Sequence, residues 1–143
     1  MPGAGANMVL DKAFQAIVTY NSSAAAGVVA FRLVKFGATA GTIDLNVAST
    51  TRSIGVVQEN VDQTKVAKGA YVDVRMLGIT TVICTTAAGV SLGSVVMSST
   101  TGGVMLAATT GNVPVGIVVG ITGTLADGNL VQVLLQPGLP ALP

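Results

Sequence analysis

Two stretches of the chain repeat one pattern: Gly55-Val56-Val57 with Lys68-Gly69-Ala70-Tyr71-Val72-Asp73-Val74, and Gly116-Ile117-Val118 with Asp127-Gly128-Asn129-Leu130-Val131-Gln132-Val133. Each copy starts with glycine and β-branched residues, then passes through a polar segment and a polar-glycine turn. Each ends in a run that alternates apolar and polar residues, which is typical of β-strands. The pattern predicts a rigid β body between Gly55 and Gly138, with glycines at turns and valines in the core.

The composition of the chain favours many short strands. Half of its 143 residues are apolar, but only 3% are aromatic, there is no Trp, and there are 18 glycines. Val, Ile, Leu and Ala must therefore fill the interior, and the glycines indicate frequent turns rather than long helices. A chain of this length fits one domain with a real core.

Alternation along the rest of the chain predicts further strands. Glycine and polar clusters separate them at roughly ten-residue spacing in the second half, as in small barrels and sandwiches. The fold class we predict is all-β, a compact β-barrel or β-sandwich of short strands. The predicted strands cover residues 14–20, 27–36, 42–47, 54–58, 71–77, 79–85, 94–98, 104–108, 114–121 and 129–135.

Several local features refine this prediction. The strand at 27–36 is apolar on both faces and should be covered on both sides. In the strand at 42–47, Asp44 and Asn46 should point outward. Gly78 implies a sharp bend before the next strand, and residues 99–103 form a natural hairpin turn.

The predicted organisation is an extended N-terminal arm at 1–12, a single β domain at 13–136 and a Pro-rich tail at 137–143. The arm opens with Pro, Gly and Ala, and the tail has three prolines in eight residues counted from Gln136. A disordered terminus is one interpretation of the arm, and docking onto another surface is the other. The candidate partner contacts are the apolar residues of the two ends: Met8, Val9, Leu10, Leu139 and Leu142.

Charge is scarce, and after Arg75 the only charged side chain is Asp127. A surface with so little charge favours cover by another subunit or a partner over a surface that is polar without charge. A net charge of +1 with no basic run gives no footprint for nucleic acid. No signal peptide and no membrane-spanning segment are expected.

No catalytic or ligand-binding constellation is evident, so we expect a protein that is not an enzyme and holds no cofactor or metal. The absence of His excludes Ser-His-Asp and Cys-His arrangements. Glu59 and Asp62 fit a solvated loop, and Lys68 lacks the flanking residues of biotin or lipoyl carriers. The lone Cys84 lies in an apolar stretch, where a buried inert thiol is expected.

A further set of residues resembles a known family. The order Gly55-Val56-Val57, Lys68-Gly69, Val72-x-Val74, Gly78, Ala88-Gly89-Val90-x-x-Gly93-x-x-Val96, Thr101-Gly102-Gly103, Val115-Gly116-Ile117 and Asp127-Gly128-x-x-Val131-x-Val133 is similar to the small capsid decoration (cement) proteins of tailed bacteriophages. The resemblance covers residues 53–136, and the N-terminal third matches loosely.

The resemblance implies a structural virion protein, assembled in the host cytoplasm, that stabilises the phage head against internal DNA pressure. It would form homotrimers and bind the major capsid protein on the outer surface of the expanded head, with residues 1–12 as the arm that reaches a neighbour. Two alternatives stay open: another phage structural β module (tail, fibre or baseplate), and a small-ligand-binding β domain, which the scarcity of aromatic residues disfavours.

Overall fold

The computed structural model describes residues 14–18, 30–38, 42–57, 71–136 and 138–143. Ten strands and no helix occur in these ranges, so no described helix could span a membrane. The all-β prediction is confirmed. The strands are β1 Phe14–Val18, β2 Leu33–Phe36, β3 Thr42–Leu45, β4 Gly55–Val57, β5 Tyr71–Arg75, β6 Gly78–Ile83, β7 Val95–Ser98, β8 Val104–Leu106, β9 Pro114–Ile121 and β10 Leu130–Leu135.

The first five strands form a closed barrel, which we call the first unit. Strand β1 pairs with β5 in antiparallel and with β3 in parallel orientation. Strand β2 lies between β3 and β4, and β4 pairs with β5. Each strand therefore has two neighbours, in the order β1-β3-β2-β4-β5. A short sheet that closes in this way leaves no free edge.

The last five strands, the second unit, have the same arrangement. They form a sheet in the order β6-β10-β9-β7-β8, with all neighbours antiparallel. A single parallel bridge between Cys84 and Val104 joins its two ends, just as β1 joins β3 in the first unit. Residues Met76 and Leu77 alone separate β5 from β6.

Register shows that the two units are equivalent residue by residue. Val57 pairs with Val74 in the first unit, and Val118 pairs with Val133 at the same place in the second. The repeat predicted from the sequence is therefore confirmed, and it extends over all ten strands rather than the two hairpins after Gly55. Other equivalent pairs are Leu33–Val56 with Val95–Ile117, Val34–Leu45 with Val96–Leu106, and Val18–Ile43 with Cys84–Val104.

The interiors of the two units are built from equivalent aliphatic residues. The first holds a buried cluster of Val34, Ile43, Val57 and Val74. Its counterparts in the second unit belong to a larger buried cluster, and each of these side chains is no more than 1% exposed: Val96, Val104, Val118 and Val133. Full burial of such a side chain stabilises the fold by roughly 1.5–3 kcal/mol. Valines do form the core, as predicted.

Gly55 and Gly116 occupy the same position in equivalent hairpins. A Cβ on Gly55 would collide with the carbonyl oxygen of Arg75 and lie 2.7 Å from Cγ1 of Val74. A Cβ on Gly116 would collide with the carbonyl oxygen of Leu134 and lie 2.8 Å from Cγ1 of Val133. Close approach of the partner strand, rather than a turn, therefore requires glycine at these two positions.

The single long strand predicted at 27–36 is wrong in its described part. Ala30 and Phe31 form a turn, and the strand starts at Leu33. Phe31 has a φ of 64°, a left-handed conformation that is uncommon for a residue with a side chain. Its equivalent in the second unit is Gly93, with a φ of 83°. The chain turns at this point in both units. The residues of 27–36 are mostly apolar and give no sign of a turn, so the sequence predicted one continuous strand.

The outward orientation predicted for Asn46 is also wrong, because the strand ends at Leu45 and Asn46 is fully buried. Its Nδ2 donates to the carbonyl oxygen of Thr51 (2.9 Å) and to Oγ of Ser53 (2.7 Å). Its Oδ1 accepts from the N–H of Ala48 at 3.2 Å. Saturated hydrogen bonding allows the amide to lie inside and to shape the 48–53 loop.

Some of the other local predictions are confirmed, and others concern residues that the structure does not describe. The bend at Gly78 (φ 83°) and the hairpin turn at 99–103, closed by a hydrogen bond from Ser99 N–H to the Gly103 carbonyl, are confirmed. Leu33 and Val34 are both fully buried, so β2 is covered on both faces where it starts. The arm predicted at 1–12 and the polar loop predicted at 59–68 lie outside the described residues.

Candidate interaction surfaces

The described residues contain no group of three or more His, Cys, Asp or Glu side chains close enough together to hold a metal ion. Cys84 is fully buried, as predicted, and its Sγ donates weakly to the carbonyl oxygen of Thr86 at 3.5 Å. Burial raises the pKa of the Cys84 thiol above its ordinary value. A buried neutral thiol is a poor nucleophile, so the described residues give Cys84 a packing role.

A small recess lies where the two units meet. Aliphatic side chains line most of it, and Ser53 supplies its polar side chain. Nothing in this lining titrates near neutral pH or could polarise a substrate. The recess is therefore part of the packing between units, and its lining residues are Leu33, Ser53, Ile54, Gly55, Met76, Val115 and Leu135.

The contact between the units buries the outer face of the first barrel. Leu33 and Val56 pair across β2 and β4, and their side chains point away from the barrel interior, where Val34 and Val57 lie. Both are 0% exposed and belong to the core cluster of the second unit. Burial of two aliphatic side chains away from their own barrel shows that this outer face packs on the second unit.

Hydrogen bonds fix the same contact. The N–H of Leu33 donates to the carbonyl oxygen of Gly102 at 2.6 Å, and the N–H of Ile83 donates to that of Phe31 at 3.0 Å. The N–H of Val113 donates to the carbonyl oxygen of Ser49 at 2.8 Å. Each bond joins non-equivalent positions of the two units. The contact is therefore heterologous, with different faces of the two units meeting.

Arg32 and Asn46 add side-chain and main-chain bonds to this contact. Nη1 of Arg32 donates to the carbonyl oxygen of Thr101, and Oγ of Ser98 donates to that of Asn46. Burial lowers the pKa of Arg32 from its ordinary value. Thr101 and Gly102, both in the hairpin turn at 99–103, therefore accept hydrogen bonds from the first unit.

The outer face of the second unit carries a row of aliphatic side chains, which we call the aliphatic row. Val95 pairs with Ile117, Ile117 with Leu134, and Leu134 with Ile79, so the row crosses four strands. Ile79 is 56% exposed and the other three are half-buried. Adjacent apolar side chains on an exposed sheet face are a common feature of protein contact sites.

The aliphatic row has no charged neighbour on its own sheet. After Arg75 the chain holds one charged residue, Asp127, in the turn before β10. The Oδ1 of Asp127 accepts a hydrogen bond from the N–H of Ala87 at 2.7 Å. The turn that contains Asp127 leads into β10, which begins at Leu130. Depletion of charge is typical of the centre of a protein interface.

The tail places two of the predicted partner contacts on the body of the same chain. The carbonyl oxygen of Leu139 accepts from Nη1 of Arg52 at 3.1 Å. The N–H of Leu142 donates to the carbonyl oxygen of Asn112 at 2.8 Å, and its own carbonyl oxygen accepts from Gly111 at 2.9 Å. Both leucines are half-buried. Their role toward a partner stays a prediction, while Met8, Val9 and Leu10 lie outside the described residues.

Sequence reasoning did not select the aliphatic row. Its members lie on four separate strands and meet only through the register of the sheet. The available signal was the lack of charge after Arg75 together with apolar residues at positions expected to face outward, as at Leu134.

Comparison with known proteins identifies a likeness among solved structures. No protein-family model and no curated protein matches the chain. Among solved structures, the chain is similar to the N base of the head fiber protein gp8.5 of bacteriophage phi29. The identity is 19%, the TM-score is 0.61, and the likeness covers 87% of this chain and 92% of that chain. The two chains therefore share their fold over most of their lengths.

Proposed function

We propose that this protein is a structural component of a bacteriophage head, a decoration protein that binds the major capsid protein on the outer surface and stabilises the filled head. The observation that carries the proposal is the fold shared with the phi29 head fiber base across 87% of the chain. That protein is a head component by its description, and the resemblance of residues 53–136 to decoration proteins points to the same location.

The physical features of the surface support a role in binding other proteins rather than in catalysis. The scarcity of charge after Arg75 and a partly exposed aliphatic row suit a protein that works through contacts. We propose no enzymatic activity, no cofactor, and no binding of nucleic acid or membrane.

Stabilisation would come from many modest contacts. A homotrimer that spans several capsid subunits makes its second and third contacts at high effective concentration, so the assembly binds far more tightly than one copy does. Outward pressure from packaged DNA separates capsid subunits, and a bound cross-link opposes that separation without any chemistry.

The direct test is binding to heads assembled without this protein. Purified full-length chain is mixed with expanded heads and, as the matched control, with unexpanded heads from the same phage, and bound protein is quantified after sedimentation. We expect saturable binding to expanded heads and a higher temperature of DNA release. No binding to either form, or equal release temperatures after saturation, would contradict the proposal.

A second candidate is the base of a head fibre, favoured by the description of the phi29 protein itself. A fibre base also binds the head, but it continues into a fibre. Release-temperature measurements separate the two candidates, since a fibre base would bind expanded heads and leave the temperature of DNA release unchanged.

A further inference from the structure

We infer that the aliphatic row is a self-association surface, and that a second copy of this chain covers it with its first unit. The inference deepens the proposed function by naming the surface through which copies would meet. It rests on the equivalence of the two units, because the contact between them inside one chain shows what this face binds.

The first step is the difference in burial between equivalent residues. Leu33 and Val56 of the first unit are 0% exposed because the second unit covers them. Their equivalents Val95 and Ile117 occupy the same register on the second unit but are half-buried. The same face is thus covered in one unit and accessible in the other.

The second step identifies the complementary surface. The first unit is covered by the segment of the second that contains Ser98, the 99–103 turn and Val113. Among the residues that the structure describes in the first unit, Phe36 takes the place of Ser98 and Arg52 takes the place of Val113. The Phe36 side chain is 62% exposed. This side of the first unit is the surface that a second copy would present.

The third step is geometric. Non-equivalent faces meet inside the chain, so repetition of the contact between chains is head-to-tail. Such contacts generate a ring when the rotation closes and a filament when it does not. A ring of three chains would contain six equivalent units and would be the homotrimer expected for the proposed function.

Charge is consistent with this occupant. The aliphatic row has no charged residue among its four members, and the chain has no charge between Arg75 and Asp127. A nucleic acid or an acidic surface would find no cation there, whereas the exposed Phe36 side chain of a second copy loses little by desolvation.

The test measures the assembly state of the full chain by light scattering and native mass spectrometry. We expect the wild type to have a mass that is a whole multiple of 14.2 kDa, three for a closed trimer. Ile117→Arg should raise the dissociation constant at least about tenfold. Ala107→Arg, at the position equivalent to Asn46, provides a second variant on the same face that leaves the core untouched.

Leu130→Arg is the matched control. Leu130 lies on the same outer face at the opposite end of β10 and is 46% exposed. It should assemble as the wild type does. Thermal unfolding of each variant separates loss of assembly from loss of folding, and a folded Ala107→Arg that assembles normally would overturn the inference.

Mixing two variants tests the head-to-tail geometry. Ile117→Arg keeps its Phe36 surface, and Phe36→Glu keeps its aliphatic row, so each alone should be monomeric. Together they have one intact pair of surfaces and should form heterodimers that do not grow. An absence of heterodimers, or a wild type that is monomeric at every concentration, would overturn the inference. Heads that still bind such a monomer would leave the proposed function standing.

Discussion

Gly116 is a residue at which the structure leaves no room for a side chain. The carbonyl oxygen of Leu134 and the Cγ1 atom of Val133 occupy the space that a Cβ would take. We expect Gly116→Ala to lower the free energy of unfolding by roughly 1–3 kcal/mol, because β9 must move away from β10. Denaturant unfolding of the purified variant measures the loss.

Gly120→Ala on the same strand is the control for Gly116→Ala. Its Cβ would meet Oε1 of Gln132 at 2.5 Å, the end of an exposed side chain that can move. The expected loss is less than about 1 kcal/mol. Equal losses at the two glycines would show that the close approach of the strands is not the cause.

Asn46 is the buried polar residue on which the 48–53 loop depends. Asn46→Ala removes three hydrogen bonds and leaves the partly buried groups of Thr51, Ser53 and Ala48 without them. We expect a loss of roughly 2–3 kcal/mol in unfolding free energy. Asn129→Ala removes one bond, to the N–H of Ala126 in an exposed turn, and should lose less than about 1 kcal/mol.

Cys84 should make stability depend on pH at the alkaline end. Burial raises the pKa of the folded thiol, so the unfolded chain releases this proton first. The stabilisation is complete below the pKa of the unfolded thiol and is lost as the pH rises from that value through the higher folded one. As the pH rises from neutral to about 10, the unfolding free energy of the Cys84→Val variant should fall by less than that of the wild type. Parallel alkaline losses in the two proteins would contradict this.

At the scale of strands, the same position has different surroundings in the two units. Val56 in β4 is covered by the second unit, while Ile117 in β9 is half-buried. Val56→Thr places a hydroxyl in an apolar contact and should destabilise the chain by roughly 1–3 kcal/mol. Ile117→Thr keeps its hydroxyl near water and should lose less than about 1 kcal/mol of unfolding free energy.

This comparison is made at a concentration where the chain is monomeric, using chemical denaturation followed by circular dichroism. At concentrations where copies associate, Ile117→Thr should lower the apparent unfolding free energy by more than it does in the monomer. The reason is that binding of a second copy to the folded state raises apparent stability, and the substitution would weaken that binding. Equal losses at Val56 and Ile117 in the monomer would contradict the packing described for the two units.

Strand existence was predictable from sequence, and strand ends were less so. Apolar or alternating runs separated by glycine and polar clusters predicted ten strands, and ten strands occur in the described ranges. The turn at Phe31 was not predictable, since Val28, Val29 and Leu33 continue an apolar run and a left-handed Phe has no signal in composition. Asn46 was misplaced for a similar reason: alternation assumed that the strand continued beyond Leu45.

At the scale of the whole molecule, the sequence revealed part of the duplication. Gly55-Val56-Val57 and Gly116-Ile117-Val118 are alike enough to align, and they occupy equivalent hairpins. Strands β1 and β6 share an arrangement but little sequence, so their equivalence emerges from pairing alone. The aliphatic row likewise depends on register between distant strands, which a single sequence does not specify.

The two units differ in how the same outer face is covered. In the first unit this face is buried inside the chain, and in the second its equivalent is only half-buried, which is why we propose it as a contact site that needs no dedicated binding loop. The same reasoning unites the fold, the scarcity of charge and the proposed place on a phage head.

Cryo-electron microscopy of heads with and without this protein tests the central claim most directly. The proposed function predicts additional density on the outer surface of the head, with paired five-stranded lobes for each chain, which disappears when the gene is deleted. Density confined to the tail, or identical head maps from the two preparations, would contradict it.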